Sequence, residues 1–293
     1  MNLSDFYPQS SVHRDASFLW TMLPTSDVPH SICFVQEQRF LALVQQNPCI
    51  TAVIVPPALA DVVAEPLGVV VADNPQQAYY DLHNALVRDY GMAVHTESYI
   101  DPTAQIAETA RIGRCVQIGA GVSVSEYAII GDYTIIGAET LIGENVVTGT
   151  RGLQNLRIDG RLYPVQFAGG VRIGERCQVL ANAIIQRAYN AVYTEIGDDT
   201  QISVKVSVGH AGRIGHHTMI SGNTQISGGV TIGNHVWIGP GATLTDSIRV
   251  GDRARVLIGS VVIEDVPAGA VVSGNFASSH RNRLREYAAR RNT

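Results

Sequence analysis

Cysteine is scarce in this 293-residue chain. The four present, Cys33, Cys49, Cys115 and Cys177, are scattered, with neither a CxxC pair nor the spacing of a metal site. A disulfide framework is therefore excluded, and free thiols in a reducing compartment are expected. Lysine is scarcer still, Lys205 being the only one. The formal net charge is −5, which leaves no global basic field for nucleic acid. Long apolar runs are missing too. The most apolar stretch, Ile50 to Ala72, is broken by Pro56, Pro57, Asp61, Glu65 and Pro66, which excludes an ordinary membrane span. The opening residues, Met1 to Phe6, lack the charged-then-apolar pattern of a secretory leader. A cytoplasmic protein is expected.

Glycine, by contrast, is plentiful at 28 residues, and a repeat accounts for it. Aliphatic residues stand six apart at Ile196, Ile202, Val208, Ile214, Ile220, Ile226, Ile232, Ile238, Leu244, Val250, Val256 and Val262. An earlier run holds Ile100, Ile106, Ile112, Ile118, Val124, Ile130, Ile136 and Ile142, and Ile173, Val179 and Ile185 keep the step between the two. A six-residue period fits neither an α-helix nor a heptad, and an ordinary strand would alternate by two. It is the mark of a hexapeptide repeat, in which short strands and tight corners build a parallel β-helix. Three hexads make one coil, so residue n lies beside n+18 at strand spacing, about 4.8 Å. The aliphatic side chains then stack inward, and the two end coils need covers.

Residues 1–97 show no such register. Ser31 to Val35 and Ile50 to Val55 look like buried strands, and Gln76 to Tyr90 has helical spacing. A small α/β domain is expected there, followed by the β-helix over 98–266 and a short basic helix within 267–293. The N-terminal domain and that last helix are the expected end covers. The repeat is interrupted at 148–170. A second slip falls near Tyr189 to Thr194, where Ile185 to Ile196 spans eleven residues instead of twelve.

Four of the nine histidines, His210, His216, His217 and His235, fall at outward or corner positions of the second run. His210 stands apart because Gly209, Ala211 and Gly212 leave space around its imidazole. One coil on lies Gly228, beside Gly229, whose bare backbone can offer an N–H to a developing oxyanion. A base with an adjacent bare amide is what acyl transfer from a thioester requires.

With these residues in view, the chain resembles the UDP-3-O-(3-hydroxyacyl)glucosamine N-acyltransferases of the lipid A pathway. The order of parts is similar over nearly the whole chain, best from Val171 to Ala242. There Ile184-Ile185-Gln186-Arg187-Ala188, Thr194-Glu195-Ile196-Gly197-Asp198 and Val208-Gly209-His210 follow the family's order. The resemblance implies a left-handed parallel β-helix, a homotrimer, His210 as general base and the Gly228 N–H as oxyanion donor. It also implies a nucleotide-linked aminosugar as acceptor, with Arg187 among the substrate-binding residues. The departures are Gln186-Arg187-Ala188 for the family's Asp-Arg-Gly, His210-Ala211 for His-Asn, and Ser247 beside Asp246 where a second histidine is usual. The family's uracil-stacking Phe-x-x-Asn-x-x-Tyr becomes Phe34, Glu37 and Phe40, which keeps the aromatic spacing but places a carboxylate where the base edge is read.

No permanently bound cofactor or metal is implied. The co-substrate that the resemblance implies is the thioester of an acyl carrier protein or of coenzyme A. The basic tail, with Arg281, Arg283, Arg285, Arg290 and Arg291, is suited to either the acidic carrier protein or the coenzyme's phosphates. Three further readings stay open. One is an acetyl-CoA-dependent sugar O- or N-acetyltransferase. Another is a histidine-zinc enzyme of the carbonic anhydrase type, although His210-x5-His216 and His210-x6-His217 miss the usual His-x4-His pair. The last is a non-catalytic β-helix trimer.

Overall fold

The computed structural model describes residues 1–90, 97–158, 160–274, 279, 281 and 289. The N-terminal part builds a five-stranded sheet from β1 (Val12–Arg14), β2 (Trp20–Thr21), β3 (Ser31–Phe34), β4 (Ile50–Val55) and β5 (Gly68–Val71), in the order β1-β5-β4-β3-β2. Only β1 runs antiparallel to its neighbour. The run Ile50–Val55 is apolar on both faces because both are covered, with Ala52, Val53, Ile54 and Val55 fully buried. Helix α1 (Leu41–Gln45) follows β3, and α2 (Pro75–Tyr90) packs Leu82 and Leu86 into the core, as its periodicity predicts, with Tyr79 buried beside them. Among the described residues no helix is long and apolar enough to cross a membrane.

From Tyr99 onward the chain winds into a left-handed parallel β-helix with three faces of eight, nine and eight short strands. The first face stacks Ile118, Ile136, Ile173, Ile196, Ile214, Ile232 and Val250. The second stacks Val124, Ile142, Val179, Ile202, Ile220, Ile238 and Val256. The third stacks Ile130, Thr148, Ile185, Val208, Ile226, Leu244 and Val262. Nearly all are completely buried, each side chain contributing roughly 1.5–3 kcal/mol of apolar burial.

The register identifies where extra chain leaves the coil. A regular coil pairs residues eighteen apart, as Ile118 with Ile136. Ile136 pairs with Ile173, thirty-seven on, so nineteen residues are inserted between Thr148 and Ile173. Ile173 pairs with Ile196, twenty-three on, so five residues are inserted between Ile185 and Ile196. The second irregularity is thus a six-residue step enlarged by five, and the reading of it as eleven residues out of twelve is corrected. Both insertions leave the prism at one corner, that between the third and first faces. The longer one carries an antiparallel hairpin, Asn155–Ile158 with Arg161–Pro164.

Both insertions dock on the N-terminal domain. His83 on α2 is fully buried between Thr21 Oγ1, 2.6 Å from its Nδ1, and the Gln166 carbonyl, 2.9 Å from its Nε2. Asn84 donates to the Pro164 carbonyl and accepts the Gln166 N–H, and the Tyr163 hydroxyl donates to Asp81. Asn190 of the short insertion donates to the Thr21 carbonyl at 2.9 Å. Val165, Phe167, Ala168 and Tyr189 complete the apolar core of that domain. The domain therefore clamps the side of the β-helix at this corner and does not seal its first coil, where Ile100 is 46% exposed. The expected N-terminal cover is corrected accordingly: the apolar side chains that complete the domain's core come from the two insertions.

Candidate active site

The corner that emits both insertions continues as a column of two-residue turns, His210-Ala211, Gly228-Gly229 and Asp246-Ser247. Parallel pairing of Val208 with Ile226 places Gly228 one coil beyond His210. At several other turns, one of them earlier in this same column, the first turn amide is capped by a side chain of the following coil. Arg114 N–H donates to Asp132 Oδ1 at 2.8 Å, Asp198 N–H to His216 Nδ1 at 3.0 Å, His216 N–H to Asn234 Oδ1 at 2.8 Å, and Asn234 N–H to Asp252 Oδ1 at 2.8 Å. Gly228 N–H has no such acceptor among the described residues. Its neighbours are engaged, Gly229 N–H with the His210 carbonyl at 2.8 Å and Ser247 N–H with the Gly228 carbonyl at 3.0 Å.

His210 is held between two glycines. Its ring covers Gly228, and its Cδ2 faces Gly152 of the long insertion, where a Cβ would come within 3.2 Å. Its backbone N–H donates to Gln186 Oε1 at 3.2 Å, and Ala211 N–H donates to Thr194 Oγ1 at 2.9 Å. Ala211 adopts the left-handed conformation, φ 55°. Tyr189 meets the imidazole edge-on at 5.5 Å between centroids, and Phe167 does so at 6.4 Å.

His210 and Tyr189 line a cavity of about 400 Å³, bounded also by Leu23, Leu153, Gly228 and Asp246. That size suits a small-molecule site. Nδ1 of His210 is enclosed without a partner, and Nε2 is the ring nitrogen left open to the cavity. Burial holds the imidazole pKa below the ordinary histidine value, and the charge of Asp246 opposes that only in part. The ring is therefore neutral at pH 7 and able to accept a proton.

The other sequence-predicted residues are placed as follows. Arg187, on the coil before His210, is buried, but its side chain lines a second cavity on the far side of Phe167. Phe34 packs on Tyr79 and Tyr80, with centroids 5.2 and 6.2 Å apart. Glu37 pairs with Arg39 at 2.9 Å, and that guanidinium covers the exposed Phe40 ring at 4.7 Å. None of Phe34, Glu37 and Phe40 lines either cavity at the His210 corner. Arg281 is exposed, and Arg283 and Arg285 lie outside the described residues. Lys205 is exposed at the corner between the second and third faces, away from His210.

His216, His217 and His235 share the corner between the first and second faces, with His217 and His235 stacked at 4.9 Å. No group of three or more metal-ligating side chains converges among the described residues. Tyr189, Gly152, Gln186 and Phe167 were not singled out from sequence as neighbours of His210. The available signal was the pair of register breaks, both of which fall in the two coils before it.

No family model matches the chain, and no curated protein matches it in sequence. Solved structures do resemble it. One is the UDP-N-acetylglucosamine O-acyltransferase of Moraxella catarrhalis, 25% identical, with 66% of this chain and 77% of that one covered and a TM-score of 0.49. Another is the UDP-N-acetylglucosamine acyltransferase of Francisella novicida, 21% identical, covering 66% and 72%, with a TM-score of 0.50. The likeness is one of fold.

Proposed function

We propose that the chain is an acyltransferase that moves a 3-hydroxyacyl group from a thioester to the amine of a nucleotide-linked aminosugar. The observation that carries this reading is the pairing of a neutral, partly buried imidazole with an uncapped backbone N–H one coil away. The amine nitrogen attacks the thioester carbonyl as His210 Nε2 takes its proton. The carbonyl oxygen becomes an oxyanion that accepts the Gly228 N–H. Collapse breaks the carbon–sulfur bond, and the imidazolium returns its proton to the departing thiolate, so the enzyme is regenerated. Tyr189 and Phe167 hold the ring edge-on and exclude water from its apolar side.

The nucleotide is assigned to the surface bearing Phe34, Glu37 and Phe40, and the donor's carrier protein or coenzyme to Arg281 and the tail arginines. The flat faces of the prism suit a cyclic homotrimer, in which a neighbouring copy would bring its own face to this corner. Light scattering should find three copies, and a monomer at working concentration would count against it.

A second reading is O-acylation of a sugar hydroxyl, for which the same base and the same oxyanion donor would serve. Presenting UDP-linked glucosamine and UDP-linked N-acetylglucosamine with a 3-hydroxyacyl thioester separates the two. Turnover of the free amine alone supports N-acylation, and turnover of the N-acetylated sugar supports O-acylation. His210→Ala should lower turnover about 10²–10⁴-fold without unfolding the chain. Near-normal turnover in that variant would remove His210 from the mechanism.

A further inference from the structure

The second cavity, about 530 Å³, lies beside α2 and the hairpin of the long insertion, one to four coils before His210. Four guanidiniums line it, those of Arg88, Arg114, Arg151 and Arg187, against the single carboxylate of Asp132. This is an uneven concentration in a chain whose formal net charge is −5. Two of the four are already paired: Arg114 with Asp132 at 3.0 Å, and Arg88 with its neighbour Asp89 at 2.6 Å. Arg151 and Arg187 have no carboxylate partner among the described residues.

Arg187 is the more informative. It is only 9% exposed, and its Nε is enclosed without any acceptor. Buried cations are ordinarily paired, because the charge has been taken out of water. Burial and the charge of Arg151 both weaken its hold on its proton, with Asp132 opposing. A guanidinium so placed beside an open cavity fits a counter-charge that arrives with a ligand. Its planar fork suits two oxygens of one anion.

We propose that this cavity binds the phosphate or diphosphate of a small molecule, held by Arg187 and Arg151. The fixed excess of positive charge would draw the anion in. Phe167 walls the cavity on one side and stands edge-on to His210 on the other, so the ligand's charged end lies next to the candidate active site without entering it. The assignment does not depend on the acyl-transfer reading, because its test measures binding and no turnover.

The test is isothermal titration of the full chain with inorganic pyrophosphate, inorganic phosphate and acetate, with sodium chloride holding the ionic strength constant. Saturable pyrophosphate binding is expected at one site per chain. Arg187→Met and Arg151→Met should each weaken it about tenfold or more, the scale of one charge-assisted contact. Arg249→Met, an exposed arginine on the first face several coils away, should leave it unchanged. Arg151 is exposed, so its variant keeps the test decisive even if the Arg187 variant does not fold. Absence of saturable binding to the wild-type chain, or wild-type affinity in the Arg151 variant, would overturn the site. Acetate binding as tightly as pyrophosphate would overturn its assignment to phosphate.

Discussion

The imidazole of His210 lies so close over Gly228 that a Cβ on the glycine would stand 2.5 Å from both Cε1 and Nε2. Gly228 is not in the left-handed region, whereas Gly229 is, at φ 69°. The absence of a side chain at 228 therefore serves the histidine and not the backbone. Gly228→Ala should fold but push the ring from its place, lowering turnover on the order of 10²-fold, as an ångström of misplacement can. Steady-state kinetics alongside a thermal melt would check this. Unchanged turnover would show that the close approach has no part in the reaction.

The charge on His210 predicts a pH profile. Burial lowers its pKa below the ordinary value of about 6.5 and Asp246 raises it, the first effect being the larger. A base works only when unprotonated, so kcat/KM should rise with pH along a limb whose midpoint lies below that ordinary value. Asp246→Asn removes the opposing charge and should shift the acid limb to lower pH. A shift to higher pH would mean that another group titrates.

Stability should also fall in acid, and His83 is a named contributor. Its pKa is lowered by burial, more than the hydrogen bond to the Gln166 carbonyl raises it. The carbonyl requires a proton on Nε2, leaving Nδ1 to accept from Thr21, so the neutral ring satisfies both partners. With the folded pKa depressed, the contribution is complete above about 6.5 and is lost as pH falls toward the folded value. His83→Gln, which can still donate and accept but does not titrate, should flatten the dependence of Tm on pH between 7 and 5, roughly the window of histidine titration. An unchanged slope would transfer the effect to other groups.

Asn190 ties the short insertion to β2 through its bond to the Thr21 carbonyl. Asn190→Ala leaves that buried carbonyl unsatisfied and should cost about 1–3 kcal/mol. Because Tyr189 is adjacent and packs on His210, turnover should fall as well. Chemical denaturation and kinetics on the same samples would check both, and loss of stability with full turnover would separate the clamp from the site.

The β-helix was readable in the residues because its information is local. An inward aliphatic every six residues, with a turn between, specifies a coil wherever it occurs, and Ile196 to Val262 needs no distant partner to choose its face. The His210–Gly228 pair was readable for the same reason, since a regular coil makes n and n+18 neighbours. The α/β nature of the first ninety residues followed from two apolar runs and one helical period. Tertiary structure alone decided where the irregular chain goes. Nothing near Gln166 or Asn190 announces that they bond to His83 and Thr21, which are 83 and 169 residues away. Those contacts bring both insertions out of one corner, wall His210 with Tyr189, Phe167 and Gly152, and leave Arg187 facing a cavity of its own. Periodicity encodes a repeating environment, while an insertion takes its place from whichever distant surface can bury its apolar side chains and satisfy its backbone.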